Sequence, residues 1–109
     1  TKHFINGAFL SQLKHQCVLI NAGRGNSIEQ QALLDALNRG QLSAAVLDVF
    51  ETEPLPEHHP FWQHDKIWIT QHTAAISNPA DVIQVFCENY QRWRQRQSLL
   101  HQIDFEQGY

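Results

Sequence analysis

The chain has 109 residues, a formal net charge of -3 and a hydrophobic content of 42%. This length predicts one domain with a modest core, and the composition excludes a disordered or low-complexity chain. The acidic balance argues against a nucleic-acid partner, and the lack of a long apolar run argues against a membrane partner. No apolar signal-peptide core follows Thr1, so we expect a cytoplasmic protein. Since the chain contains no methionine, we also expect it to be part of a longer protein.

Neither a disulfide nor a metal site is predicted from the cysteines and histidines. Cys17 and Cys87 lie in apolar stretches, which favours two buried, reduced thiols over a disulfide. His58, His59 and His64 are close together, but their spacing matches no standard zinc pattern and no paired cysteine set accompanies them.

The chain begins with a predicted helix and a predicted strand. Residues 6–14 place Phe9, Leu10 and Leu13 on one helical face. Residues 17–20 form a short, partly β-branched apolar run that ends before a glycine-containing loop. Such a run is typical of a strand that is buried on both faces, as in a parallel sheet.

A second helix and a second strand complete a predicted βαβ unit. Ser27 and Gln30 have the spacing of a capping box at the start of the helix. Gly40 is placed to end that helix, and residues 44–49 form the next buried strand. Strand, helix and strand at this spacing predict a parallel pair with a right-handed crossover.

The second half combines a long loop, a short strand and a long helix. Residues 51–66 contain three prolines and no regular period, so we predict a loop, and loops of this length are usually functional. Residues 67–70 form a third strand, and Asn78 begins the last helix as its N-cap. Its apolar stripe consists of Val82, Ile83, Phe86, Tyr90 and Trp93. The arginines near its end, Arg92, Arg94 and Arg96, suit the helix dipole and are interpreted as a solvated face rather than a nucleic-acid site.

Charged residues follow each of the three strands, at the sheet edge where α/β proteins bind ligands. Arg24 follows the first strand and His72 follows the third. Asp48 lies at the end of the second strand, with Glu53 in the loop beyond it. Singly, these could be a solvated arginine, a turn-forming aspartate and a surface histidine. Together they suit a carbonyl substrate, because arginine binds carboxylates and a histidine beside an acid transfers protons.

Three blocks of sequence resemble the C-terminal signature of the D-isomer-specific 2-hydroxyacid dehydrogenases. They are Leu19-Ile20-Asn21-Ala22-Gly23-Arg24-Gly25, Leu47-Asp48-Val49-Phe50-Glu51-Thr52-Glu53-Pro54-Leu55-Pro56 and Thr70-Gln71-His72-Thr73-Ala74-Ala75. Three further stretches are similar to bacterial members that reduce glyoxylate and hydroxypyruvate: Pro60-Phe61-Trp62-Gln63-His64, Ala74-Ala75-Ile76 and the final Gly108-Tyr109. The resemblance implies an α/β fold, the C-terminal portion of a Rossmann-like doubly wound parallel sheet. Residues 1–77 would form the C-terminal half of the nucleotide-binding domain, and residues 78–109 the helix and tail that return toward a substrate domain.

The resemblance also implies roles for individual residues. Arg24 matches the catalytic arginine that binds substrate, His72 the proton donor and Glu53 its acidic partner, while Asp48 matches the residue that holds the nicotinamide carboxamide. Gln71 stands where the family usually has proline, which removes a constraint on φ before His72. The implied cofactor-binding residues are Ala22, Arg24, Asp48, His72 and Ala74.

The implied parent protein is an enzyme that reduces small 2-oxo acids to D-2-hydroxy acids with NAD or NADP. Gly23-Arg24-Gly25 is not a phosphate-binding fingerprint, because the later glycine and the preceding strand of that motif are missing. We therefore expect these 109 residues alone to be inactive, and they leave the choice between NAD and NADP open. A catalytically silent relative, an interaction protein of the corepressor type, is the alternative. We expect a homo-oligomer, since part of a domain exposes a sheet edge and an apolar helix face.

Overall fold

A computed structural model describes residues 1–106 and shows an α/β chain with a small parallel sheet. The end of the tail, residues 107–109, lies outside the described residues, and so does the predicted match at Gly108 and Tyr109. The chain divides into two compact units, Thr1–Ala75 and Ile76–Tyr109, the second described as far as residue 106. The elements are α1 (Gly7–Ser11), β1 (Cys17–Asn21), α2 (Gln30–Asn38), β2 (Leu42–Leu47), β3 (Ile67–Ile69) and α3 (Pro79–Arg94), with short 3₁₀ turns at Gly25–Ser27 and Pro60–Gln63.

The sheet of the first unit has the strand order β1-β2-β3, and both strand pairs are parallel. Leu19 pairs with Ala45, and Ala45 pairs with Ile67. These positions lie on the core face of the sheet, against which α2 packs, while α1 packs on α2. The intervening residues of each strand point to the opposite face, because side chains of a strand alternate between its two faces. The buried core comprises Leu10, Ile28, Leu33, Ala36, Leu37, Leu42, Ala45, Leu47, Phe61 and Ile67.

The opposite face of this sheet is partly exposed, so the prediction of a β1 buried on both faces is wrong. Val18 and Ile20 are 50% and 70% exposed, and Trp68 of β3 is 59% exposed. All three lie on the side of the sheet opposite the core face, where within this unit no helix covers them. An apolar run therefore correctly predicted a strand but not the number of its covered faces.

The start of α2 differs from the prediction, whereas its end agrees. Helix α2 is preceded by Glu29 without a side-chain cap, and Ser27 belongs to the 3₁₀ turn before it, so the predicted capping box is wrong. Gly40 has a φ of +72°. Its N–H donates to the carbonyl of Leu37 at 3.2 Å, and the next N–H donates to Ala36 at 2.9 Å. This pairing is a Schellman motif, which needs a left-handed residue at Gly40.

The remaining boundaries shift by a few residues. Strand β2 is Leu42–Leu47 rather than 44–49, since the chain enters the strand almost directly after the Gly40 turn. Helix α1, Gly7–Ser11, is shorter than the predicted 6–14. Its N-cap is Asn6, whose side chain accepts a hydrogen bond from the N–H of Phe9 at 3.0 Å. Strand β3 ends at Ile69, one residue before the end of the predicted 67–70. The predicted loop lies between β2 and β3 and contains the 3₁₀ turn at Pro60–Gln63.

Helix α3 is the main element of the second unit and begins as predicted. The side chain of Asn78 accepts a hydrogen bond from the N–H of Ala80 at 3.1 Å, and Pro79 occupies the first turn. The predicted apolar stripe of α3 is exposed. Cys87 on the same helix is also exposed and Cys17 is half-buried; both are free thiols, so the prediction that both are buried is wrong. Across the described residues, no helix is both long and apolar enough to cross a membrane.

Candidate active site

The loop after β1 is shaped by the side chain of Asn21. This residue is 8% exposed, accepts a hydrogen bond from the N–H of Gly23 at 3.1 Å and donates one to the carbonyl of Arg24 at 2.9 Å. An asparagine that bridges its own following residues in this way forms a compact turn. Sequence reasoning missed Asn21 as a site residue, although a polar residue at the end of an apolar run, directly before a glycine loop, was the available signal.

The loops after β1 and β2 touch at Gly25. A Cβ atom on Gly25 would lie 1.9 Å from the carbonyl carbon of Phe50 and 2.4 Å from the backbone nitrogen of Glu51. Both of those atoms are backbone atoms, so neither can rotate away. Glycine at this position therefore allows the Arg24 loop and the loop that carries Glu53 to lie side by side.

The carboxylate of Asp48 is buried at the end of β2 and is bonded to the segment after β3. Asp48 is 4% exposed. Its Oδ1 accepts hydrogen bonds from the hydroxyl of Thr70 and from the N–H of Thr73, the latter at 3.0 Å, while its Oδ2 accepts one from the N–H of Ala74 at 3.0 Å. The hydrogen bond from Thr70, followed by those from Thr73 and Ala74, lowers the pKa of Asp48 from 3.8 to about 2.

His72 and Glu53 form a direct hydrogen bond. His72 Nδ1 lies 2.8 Å from Glu53 Oε2, while Glu53 Oε1 accepts a hydrogen bond from the N–H of Phe50 at 2.8 Å. The hydrogen bond with His72 lowers the pKa of Glu53 below its ordinary value, and the hydrogen bond from the N–H of Phe50 makes the next largest contribution. Because an ionised carboxylate only accepts, Nδ1 carries the proton in this pair. Within residues 1–106, Nε2 of His72 has no protein partner and is available to a ligand.

Arg24, Glu53 and His72 line one cleft of about 430 Å³, together with Gly23, Gly25, Val49, Phe50 and Glu51. The guanidinium of Arg24 is exposed, with Nη1 donating to the carbonyl of Gly23 at 3.0 Å. A planar cation, a hydrogen-bonded imidazole and a carboxylate therefore face the same small volume. This set can bind a carboxylate and transfer a proton to an adjacent oxygen.

A second cavity of about 610 Å³ adjoins the same pair, and its lining includes Asp48, Glu53, His72 and Trp62. Of the other residues predicted from the sequence, Ala22 is exposed in the loop after β1 and Ala74 binds Asp48 through its N–H. Neither alanine lines these two cavities.

The histidines considered for metal binding do not form a metal site in the described residues, and His59 has other hydrogen-bond partners. His59 Nε2 lies 3.0 Å from Gln30 Oε1, and its Nδ1 accepts a hydrogen bond from the N–H of Phe61 at 3.3 Å. Partial burial lowers the pKa of His59. Over residues 1–106, the structure assembles no group of three or more histidine, cysteine, aspartate or glutamate side chains suited to a metal ion.

Comparison with known proteins identifies the family. Residues 1–74 match the family model described as the NAD-binding domain of the D-isomer-specific 2-hydroxyacid dehydrogenases. The chain belongs to this family. Its 109 residues are 37% identical to glyoxylate/hydroxypyruvate reductase A of Klebsiella pneumoniae subsp. pneumoniae and 39% identical to that of Photorhabdus laumondii subsp. laumondii. The predicted family resemblance and its glyoxylate/hydroxypyruvate reductase subgroup are therefore confirmed.

Solved structures of family members share the fold. A D-isomer-specific 2-hydroxyacid dehydrogenase of Xanthobacter autotrophicus Py2, crystallised with NADPH and MES, matches with a TM-score of 0.90 at 36% identity, over 100% of this chain and 45% of that one. The NADPH-dependent glyoxylate/hydroxypyruvate reductase of Sinorhizobium meliloti, crystallised with NADP and sulfate, matches with a TM-score of 0.86 at 33% identity. This match covers 100% of the present chain and 36% of the Sinorhizobium chain. The predicted Rossmann-like class is confirmed. The chain spans about a third of the curated relatives, 35% of each of the two reductases named above.

Proposed function

We propose that this chain is the C-terminal part of the NAD-binding domain of an enzyme that reduces small 2-oxo acids. The substrates would be of the glyoxylate and hydroxypyruvate type and the products D-2-hydroxy acids. The observation that carries the proposal is the cleft in which Arg24 faces the hydrogen-bonded pair of His72 and Glu53. The similarity to glyoxylate/hydroxypyruvate reductases over all 109 residues supports the substrate class.

Each charged residue of the cleft has one chemical task in this proposal. The guanidinium of Arg24 binds the substrate carboxylate and polarises the neighbouring carbonyl. His72 donates a proton from Nε2 to the carbonyl oxygen as the alcohol forms. Glu53 holds the Nδ1–H of His72 at 2.8 Å, which keeps Nε2 directed away from Glu53 and available to substrate.

The residues at the sheet edge fit the nicotinamide end of NAD or NADP. Such a cofactor supplies the hydride for carbonyl reduction. Among residues 1–106, Oδ2 of Asp48 accepts one hydrogen bond, from Ala74, and so retains a lone pair for a carboxamide N–H. In this proposal the cofactor would lie against Ala22, Arg24, Asp48, His72 and Ala74. The phosphate-binding glycine motif is not among these 109 residues, so we expect the chain alone to be inactive and the preference between NAD and NADP to be set elsewhere.

The alternative is a catalytically silent interaction protein of the same fold. The cleft favours the enzyme, because it brings a hydrogen-bonded histidine and glutamate beside an exposed arginine, the groups that reduction of a 2-oxo acid requires. We further propose that the full-length enzyme is a cytoplasmic homo-oligomer.

Replacement of Arg24 tests the proposal in the full-length protein that carries these residues. Arg24→Ala should lower kcat/KM for glyoxylate and hydroxypyruvate at least about 100-fold, because a charged hydrogen bond to the reacting substrate is lost. The measurement is NADH and NADPH oxidation with each acid. Arg39→Ala is the matched control, since Arg39 is an exposed arginine at the end of α2 and should leave kcat/KM unchanged. Equal activity of the two variants would refute the role of Arg24, and absence of reductase activity in the unsubstituted enzyme would refute the proposed function.

A further inference from the structure

We propose that Asp48 and Thr70 position His72, by holding the segment around it so that the Nδ1 edge of its ring meets Glu53. The proposal deepens the function proposed above, in which His72 donates the proton. We call the hydrogen bonds that Asp48 makes to residues 70–74 the Asp48 clasp.

The clasp holds the segment on both sides of His72. Before His72, the hydroxyl of Thr70 donates to Oδ1 of Asp48, and after it the N–H groups of Thr73 and Ala74 donate to the two carboxylate oxygens, each at 3.0 Å. In between, the N–H of His72 itself donates to the backbone carbonyl of Asp48 at 2.9 Å. One buried residue therefore accepts these four hydrogen bonds from this short segment, and the hydroxyl of Thr73 adds a longer one at 3.5 Å.

Few other contacts hold this segment. The N–H of Thr70 donates to the carbonyl of Leu47 at 3.0 Å, and the His72 ring bonds to Glu53. Within the described residues, every other hydrogen bond of residues 70–74 ends on Asp48. The side chain of His72 is 59% exposed, so packing contributes little to its orientation.

The backbone of His72 also requires an external constraint. Its φ is +55°, in the left-handed region that non-glycine residues seldom adopt and that persists where the surroundings enforce it. Hydrogen bonds to the flanking residues supply that constraint. Without the Thr70 hydroxyl, the segment before His72 loses its link to the Asp48 carboxylate, and the imidazole is free to leave Glu53.

The test variant is Thr70→Val, because valine has nearly the shape of threonine but lacks its hydroxyl. Thr73→Val is the matched control: the Thr73 hydroxyl is 3.5 Å from Oδ1 of Asp48, and its stronger contact, through the N–H, is retained in the variant. Thr70→Ser keeps the hydroxyl and tests rescue.

The readout is the protonation of the His72 ring, measured by long-range ¹H–¹⁵N correlation spectra on the 109-residue chain at a pH where the ring is neutral. We expect the unsubstituted chain, Thr73→Val and Thr70→Ser to carry the proton on Nδ1. In Thr70→Val both ring nitrogens should share the proton, and the carboxyl carbon of Glu53 should titrate at a higher pH than in the unsubstituted chain. A change of overall stability alone moves neither signal in a chain that is still folded.

Two results would overturn the proposal. One is a folded Thr70→Val chain whose His72 nitrogens and Glu53 carboxyl behave as in the unsubstituted chain; the other is a Thr73→Val chain that changes as much as Thr70→Val. If Thr70→Val does not fold, amide hydrogen exchange in the unsubstituted chain tests whether the Asp48 clasp holds the segment. The N–H groups of Thr73 and Ala74 should exchange at least about tenfold more slowly than that of Gln71, and equal rates would refute the clasp. None of these signals depends on turnover, so failure of the clasp is distinct from failure of the proposed reaction.

Discussion

At the scale of single residues, the contact between Glu53 and His72 predicts a specific effect of pH. The pKa of Glu53 is held below its ordinary value of 4.5, first by the hydrogen bond with His72 and then by that with Phe50. A carboxyl group with a lowered folded-state pKa stabilises the fold fully above its unfolded-state pKa, and this contribution is lost progressively as the pH falls from that value through the folded-state pKa. His72→Phe should therefore raise the pKa of Glu53 toward 4.5 and remove part of the loss of stability below that pH.

The measurement is a carbon-13 titration of the Glu53 carboxyl, together with thermal unfolding between pH 3 and pH 6. His15→Phe is the control, because His15 is exposed and makes no contact with Glu53 in the described structure. The interpretation fails if both phenylalanine variants titrate at the same pH as the unsubstituted chain.

At the scale of elements, the approach of two loops at Gly25 predicts opposite effects for two glycines in the same turn. Gly25→Ala should destabilise the fold by roughly 1–3 kcal/mol, since its Cβ would overlap the backbone of Phe50 and force the loops apart. At Gly23, by contrast, an added Cβ meets nothing closer than Oδ1 of Asn21, at 3.7 Å. We therefore expect Gly23→Ala to be neutral or slightly stabilising.

Urea unfolding of the two alanine variants, with the unsubstituted chain beside them, measures this difference. A Gly25→Ala chain as stable as Gly23→Ala would show that the loops after β1 and β2 are not in contact. If the full-length protein has the activity proposed above, Gly25→Ala should also weaken substrate binding, because the same loops carry Arg24 and Glu53.

At the scale of the whole molecule, two exposed apolar surfaces predict self-association of the 109-residue chain. One is the sheet face with Val18, Ile20 and Trp68, and the other is the stripe of α3. Exposed patches of this kind drive association, and a short sheet also presents edge strands for pairing. Phe86, which is 68% exposed, is the test position on α3.

Light scattering over a range of micromolar concentrations should show a dimer or larger species, and Phe86→Ser should shift the distribution toward monomer. Gln84→Ser, at an exposed polar position of the same helix, is the control and should not. A monomer mass that stays constant as concentration rises would contradict this prediction.

Much of the fold follows from the sequence alone, because local patterns carry the information. The apolar runs at β1 and β2 are long enough to predict strands, Gly40 predicts the end of α2, and Asn78 predicts the start of α3. Parallel strands place their carboxyl ends at one edge of the sheet. Because Arg24, Asp48 and His72 each lie at or just after the end of a strand, the sequence already predicted that they lie close together.

Only the tertiary structure decided which contacts the individual side chains make. Contacts between segments that are distant in the sequence leave no local pattern from which they could be predicted. Ser27 has the spacing of a cap, yet a 3₁₀ turn places it before α2 rather than at its start. Val18 and Ile20 lie in an apolar run but are exposed, since burial depends on which elements cover each face. The sequence alone left the partners of Asp48 open. The return of the chain after β3 surrounds its carboxylate with the hydroxyl of Thr70 and the N–H groups of Thr73 and Ala74.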